Sequence, residues 1–315
     1  MYKIAYYEEN NYHTEIMGTF LEYYSNKGFE ITVYNTCDKS LTVDFFKKKC
    51  NFKVKPHKQI IEDYPDYNII IVGSAGSCCD FIDKLPKINL SNIIFICHNP
   101  TEIKPSYQHV IVLTPLNYLP SINPNISYIL PIHGYITENK NLKKNIFTII
   151  GRFKDANRDY NDLVNLIKKY NQHNFIVHIF SRANKFIPNI LLELSRSYPQ
   201  KLKIFLKFNT EKMDKYIQES KYILPLVSKN SWYHKDRLSG NIAIAFNYQI
   251  PLIIDQELKK IYNIEHCITY QNSITEVIDY VTNLSEDEYQ NMVSKIIDHK
   301  KKIIESNNLI MNSII

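Results

Sequence analysis

Residues 139–154 read Asn139-Lys140-Asn141-Leu142-Lys143-Lys144-Asn145-Ile146-Phe147-Thr148-Ile149-Ile150-Gly151-Arg152-Phe153-Lys154. The stretch 139–145 is polar and has no apolar periodicity, as an interdomain linker would. The stretch 146–150 is continuous, apolar and β-branched. Buried parallel strands look like this because both of their faces are covered. Gly151 breaks the run and basic residues follow it. A new fold therefore starts in mid-chain.

Reading outward, the same alternation fills both halves. Downstream, strands at 146–150, 175–180, 202–206, 222–226 and 251–254 alternate with helical patterns at 160–170, 187–198, 210–219 and 241–246. Upstream, a strand at 3–7 precedes an amphipathic helix at 14–26, which carries Ile16, Met17, Phe20, Leu21 and Tyr24 and is ended by Gly28. Further strands are expected at 29–34, 67–72, 92–97, 109–113 and 127–130. Strands separated by helices build parallel sheets. The expectation is an α/β chain of two Rossmann-like domains facing a cleft, with ligands at the carboxyl ends of the strands. The expected bounds are 1–140, 141–295 and a C-terminal helix and tail at 296–315 that docks on a domain. Ser285 and Glu288 form a capping box that starts this helix, which should run to about Ser306.

Composition narrows the class. The 315 residues suit two domains of ~150. Hydrophobic residues at 44% and charged residues at 22% exclude wholesale disorder. The net charge of +6 comes from scattered lysines, with short runs at 47–49 and 300–302 that read as solvated helix faces. No nucleic-acid-binding motif stands out, and a modest positive field suits an anionic small ligand. The six cysteines form no Cys-x-x-Cys pair, which points to a reducing compartment. The start of the chain lacks a signal-peptide pattern, and no apolar run has the ~18 residues needed to span a bilayer. A cytoplasmic protein with at most peripheral membrane contact is expected. Heavy use of Lys, Asn, Ile and Tyr looks like AT-rich coding, as in a large DNA virus or an AT-rich microbe.

With only seven glycines, each needs a reason. Gly151-Arg152-Phe153-Lys154, with Arg158 beyond, combines a strand-end glycine with a planar guanidinium and a point charge. That suits a diphosphate clamp, and equally a solvated helix start. In Asp236-Arg237-Leu238-Ser239-Gly240-Asn241, a small polar turn precedes a helix whose N–H groups and dipole favour an anion. Ser239 as a plain helix cap is compatible with this. His98 ends a strand, where an imidazole can hydrogen-bond a sugar or take a proton, or simply cap a loop. His13 and Glu15 follow the first strand and could touch an acceptor or serve as helix-start polarity. Trp232 and His234 lie just before the Ser-Gly-Asn turn; Trp232 could stack on a sugar ring or be partly buried. His133 and His266 read as structural. No His, Cys, Asp or Glu cluster has metal-ligand spacing. A P-loop, a nucleophile elbow and a Gly-rich dinucleotide turn are all missing, and Glu8-Glu9-Asn10-Asn11 follows the first strand instead.

In order, several of these pieces resemble the group-1-like glycosyltransferases of GT-B fold. Gly151-Arg152 resembles the family's Gly-Arg after the first strand of the C-terminal domain. Phe208-Asn209-Thr210, with 222–228, resembles the base-binding turn, helix and strand end. Residues 239–254 look like the donor loop, helix and following strand. Asn26–Val33 is similar to the second strand of the N-terminal domain, and Leu130-Pro131-Ile132-His133-Gly134-Tyr135 to the domain junction. His98 resembles the cleft histidine. The resemblance implies a metal-independent transfer of sugar from a UDP- or GDP-sugar to an acceptor hydroxyl of a glycan, lipid or protein. No permanent cofactor is implied. Arg152 and His98 would be catalytic. Gly151, Arg152, Lys154, Arg158, Phe208, Asn209, Thr210, Asp236, Arg237, Ser239, Gly240 and Asn241 would bind the donor, and His13 and Glu15 the acceptor. One departure stands out. The family has two Glu residues a fixed distance apart, and registering on Pro251 puts Asp236 and Ile244 there. A catalytically lapsed nucleotide-sugar-binding or scaffold protein, or a sugar-nucleotide epimerase or phosphorylase on the same fold, therefore stays open.

Overall fold

The computed structural model describes residues 1–9, 14–35, 41–76, 90–113, 126–135, 144–153, 157–181, 187–206 and 210–314. The chain divides into two compact units. The first comprises Met1–Tyr135, Asp236–Leu238 and Ile303–Ile315, and the second Ile136–Lys235 and Ser239–Lys302. Most of the linker expected at 139–145 lies outside the described residues; its last two residues, Lys144 and Asn145, already belong to a strand.

The first unit is built on β1 (Lys3–Glu8), β2 (Glu30–Asn35), β3 (Lys53–Pro56), β4 (Ile69–Val72), β5 (Ile93–Cys97), β6 (His109–Val112) and β7 (Ile126–Tyr128). They pair in the order β3-β2-β1-β4-β5-β6-β7, all parallel. The strands are apolar on both faces because both faces are covered. Ile4, Tyr6, Ile31, Val33, Ile69, Ile71, Ile94 and Ile96 share one core with Phe20 and Leu21 of the helix Thr14–Asn26. Ala5, Tyr7, Tyr34, Ile70, Val72, Phe95 and Cys97 enter another on the opposite face. Of the two short outer strands, β7 matches the strand expected at 127–130, shifted to Ile126–Tyr128. β3 was not expected because its Lys53-Val54-Lys55-Pro56 carries too little apolar character to mark an edge strand.

Gly18 shows how tight the first core is. A Cβ there would stand 2.5 Å from Phe46 Cζ and 2.7 Å from His133 Cδ2. Both rings are buried, so neither has a free end to swing away. Alanine gains ~1 kcal/mol of helix propensity, while overpacking costs about 1–3 kcal/mol. Gly18→Ala should therefore destabilise the chain in a urea melt. A raised midpoint would mean that the rings make room.

The second unit holds β8 (Lys144–Ile150), β9 (Ile176–Phe180), β10 (Leu202–Phe205), β11 (Ser220–Ile223), β12 (Ile253–Asp255) and β13 (Ile268–Tyr270). The order β10-β9-β8-β11 is parallel throughout, and β12 pairs with β13. A parallel bridge between Ile223 and Leu252 joins the two groups. Again the chain starts centrally, winds one way, then crosses to the other side. The helix Tyr160–Lys169 is capped by Asp159, whose carboxylate accepts the Asp162 N–H at 3.0 Å.

The capping box at Ser285 is formed: Ser285 N–H donates to Glu288 at 3.0 Å, and Glu288 N–H donates back to the Ser285 hydroxyl at 3.3 Å. The helix it starts, Glu286–Ile314, continues past the expected end at Ser306. No Gly or Pro interrupts it there, and the last turns are anchored in the first unit. Met311 is buried, Asn307 donates to the Leu130 carbonyl at 2.7 Å, and the Tyr23 hydroxyl donates to Asn312. Among the described residues no helix is long and apolar enough to cross a membrane.

Candidate functional site

In the second unit, three separate segments converge on the carboxyl end of β8. Asn241, in the first turn of the helix Gly240–Tyr248, accepts from Ile150 N–H at 3.0 Å and donates from Nδ2 to the Ile150 carbonyl at 2.7 Å. Its amide thus mimics a neighbouring strand. Arg158 reaches the same carbonyl through Nη2 at 2.9 Å and donates through Nη1 to the Pro225 carbonyl. Its guanidinium is buried, and it lies 5.6 Å from the Tyr233 ring centroid. Burial lowers its pKa, but an arginine stays charged in any case.

Gly151 follows with φ of 137°, and a Cβ there would meet Arg158 Nη2 at 2.7 Å. Only glycine fits both the backbone angle and the approach. Leu226, just past β11, sits in the left-handed region at φ 50°. Nothing in its residue type marks it. The strain is held by neighbours: the Leu226 carbonyl accepts Asp159 N–H at 3.0 Å, and Val227 bridges to Arg158.

The sequence-derived donor residues therefore separate by orientation. Gly151, Arg158, Ser239, Gly240 and Asn241 meet at one strand end, with Arg152 exposed beside them. Arg158 and Asn241 turn inward and spend their polar groups on backbone, so they position the strand end and present no free fork to solvent. Ser239 occupies the helix N-cap, but its hydroxyl makes no capping bond. Lys154, Phe208 and Asn209 lie outside the described residues, as does the side chain of Thr210. Asp236 and Arg237 group with the first unit instead of with Gly151.

A second cluster lies in the first unit, at the ends of the adjacent strands β1, β4 and β5. His98 Nε2 is 3.2 Å from both the Gly73 carbonyl and the Ser74 hydroxyl. Ser74 donates to Glu8 at 2.8 Å, and Glu102 accepts the His98 backbone N–H at 2.9 Å. Burial lowers the His98 pKa to about 4, against the Gly73 carbonyl and with some help from the Arg237 charge, so the ring is neutral near pH 7. Burial raises the Glu102 carboxyl. A side chain at Gly73 would strike Glu8 and the Tyr6 hydroxyl, both at 2.6 Å.

Sequence reasoning found His98 and missed Glu8, Ser74 and Glu102. The available signal was their place just past strand ends. His13 lies outside the described residues, and so does the side chain of Glu15. Trp232 is 51% exposed, whereas His234 is buried and faces Asp255.

No protein-family model and no curated protein matches the sequence. Solved structures do match, over nearly the whole length. A glycosyltransferase from Rickettsia africae has a TM-score of 0.67 at 13% identity, covering 99% of this chain and 98% of its own. Anabaena HepE, solved with UDP-glucose, has a TM-score of 0.67 at 10% identity, with 99% of each chain covered. AviGT4, from avilamycin A biosynthesis, has a TM-score of 0.65 at 10% identity, covering 98% and 97%. The chain has a GT-B fold. Within that fold, β8 opens the second Rossmann-like unit, and Gly151 and the start of Gly240–Tyr248 share its carboxyl edge. Ile244, on this helix, is half-exposed and apolar where the GT-B resemblance has its second carboxylate.

Proposed function

We propose that this chain is a glycosyltransferase that moves a sugar from a UDP- or GDP-sugar to an acceptor hydroxyl, without a metal at the diphosphate. The observation that carries this reading is the convergence at Ile150–Gly151. A glycine with no side chain, the first turn of the helix Gly240–Tyr248, and an exposed Arg152 stand at one strand end. The helix start and the guanidinium supply the positive potential that a leaving diphosphate needs. Arg158 and Asn241 keep this edge rigid, so little reorganisation is needed when charge develops. The first unit supplies the acceptor side, where neutral His98 orients the acceptor hydroxyl by hydrogen bonding. The acceptor belongs to glycan, glycolipid or glycoprotein assembly, and the working compartment is the cytoplasm.

Transfer or hydrolysis of UDP-glucose and of GDP-sugars, assayed with EDTA present, tests the reading. Arg152→Ala should lower kcat about 100-fold, the scale of losing one preorganised charge donor, with an unchanged melting point. Turnover equal to that of the unaltered chain removes Arg152 from the mechanism. Ile244 favours a second reading, a lapsed enzyme that binds the nucleotide sugar. That reading gives binding in calorimetry and no product with any donor.

A further inference from the structure

The second unit contains a cavity of about 340 Å³, beyond the donor edge, that neither strand-end cluster uses. It opens at the carboxyl ends of β12 and β13, under the segment that follows β11. His234, Asp255 and Glu257 line it, and one ligand atom from each lies within 4.8 Å of the other two. His234 is 6% exposed, and its Nδ1 has no hydrogen-bond partner. Its Nε2 stands 3.1 and 3.2 Å from the two Asp255 oxygens.

The three side chains thus present one imidazole and two carboxylates to a single cavity, at a spacing one cation can bridge. Asp255 is also held in place, since it caps the helix Gln256–Tyr262 by accepting Leu258 N–H at 2.9 Å. Asp159 and Asp162 line the same cavity, as do Lys229 and Lys260. The lysines are exposed and on flexible stems, and the four carboxylates outnumber them, which disfavours an anion.

We propose that His234, Asp255 and Glu257 form a binding site for a divalent transition-metal cation of the zinc class. One imidazole nitrogen and two carboxylate oxygens are a borderline donor set, which prefers zinc to magnesium or calcium. Water fills the fourth position. The ion fastens the segment after β11, which leads into Ser239-Gly240-Asn241, to the start of the helix Gln256–Tyr262. It is structural and separate from the donor diphosphate. The sequence concealed the site because His234 lies far along the chain from the adjacent Asp255 and Glu257.

Zinc titration of the EDTA-stripped full chain by calorimetry tests this, with magnesium and manganese as comparators. The expected result is one equivalent of zinc bound, with a Kd raised at least tenfold in Glu257→Gln. Glu257 is exposed, so this variant should fold, and its metal-free melting point should match that of the unaltered chain. Zinc should raise the melting point of the unaltered chain and leave His234→Asn/Glu257→Gln unmoved. Absence of zinc binding, or binding that Glu257→Gln leaves unchanged, overturns the proposal.

Discussion

Replacing Arg158 with methionine should lower the unfolding free energy of the second unit by about 2–4 kcal/mol. Two effects oppose each other. Methionine removes the cost of desolvating a buried guanidinium, and by itself that would stabilise. It also removes both charge-assisted donors, while the Ile150 and Pro225 carbonyls remain buried. Ile150 keeps the Asn241 amide at 2.7 Å, but Pro225 loses its Arg158 donor. A stranded buried acceptor, together with the strained Leu226 turn that Arg158 braces, outweighs the relief. Lysine should restore less than half of the loss, because a point-like ammonium lacks the planar fork whose two nitrogens reach the two carbonyls. Trp232, the only tryptophan, lies in the second unit, so its fluorescence in a urea titration reports on the right part of the chain. A methionine variant as stable as the parent would mean that desolvation dominates.

Acidification should destabilise the second unit through His178, by about 2–3 kcal/mol between about pH 7 and pH 4.5. His178 projects from β9 among the rings of Phe180, Phe205 and Tyr216, with neither ring nitrogen hydrogen-bonded. Burial first, and the Lys203 charge second, lower its pKa to about 4 from an ordinary 6.5. Between those values the unfolded chain binds a proton that the folded chain refuses. The stability conferred by the neutral ring is thus complete above about pH 6.5 and is lost as pH falls toward 4. His98 carries a shift of the same sign in the first unit, so whole-chain unfolding would mix the two. Urea titrations of the parent and of His178→Leu at both pH values separate them, because His98 contributes equally to both proteins. His178→Leu should lose markedly less stability than the parent across this interval. Equal losses in the two proteins would show that the ring takes up its proton without unfolding.

Much of the fold was legible in the chain. The continuous apolar runs of β1, β2, β4, β5, β8 and β9 could belong only to strands covered on both faces, and the intervening amphipathic patterns supplied the covers. Short edge elements were not legible. β3, with its lysines, and β13, three residues long, pair because a partner strand is already in place. The expected helix end at Ser306 failed for a related reason: burial of Met311 and the polar ties of Asn307 and Asn312 extend the helix to Ile314.

Two parallel α/β units, the strand-end place of Gly151 and the helix start at Gly240 follow from periodicity and from backbone preferences, which are local. Only the packing of distant segments shows which polar groups are exposed and which are spent internally. Arg152 and Arg158 look interchangeable as cations, yet one is exposed and the other is spent on two carbonyls. Asn241 proved to be a strand mimic. Glu8, Ser74 and His98 became one hydrogen-bonded chain because parallel pairing sets the ends of three strands, distant in sequence, side by side. Residue type fixes the charge a side chain carries, but its direction and partners are set by packing between segments far apart in the chain.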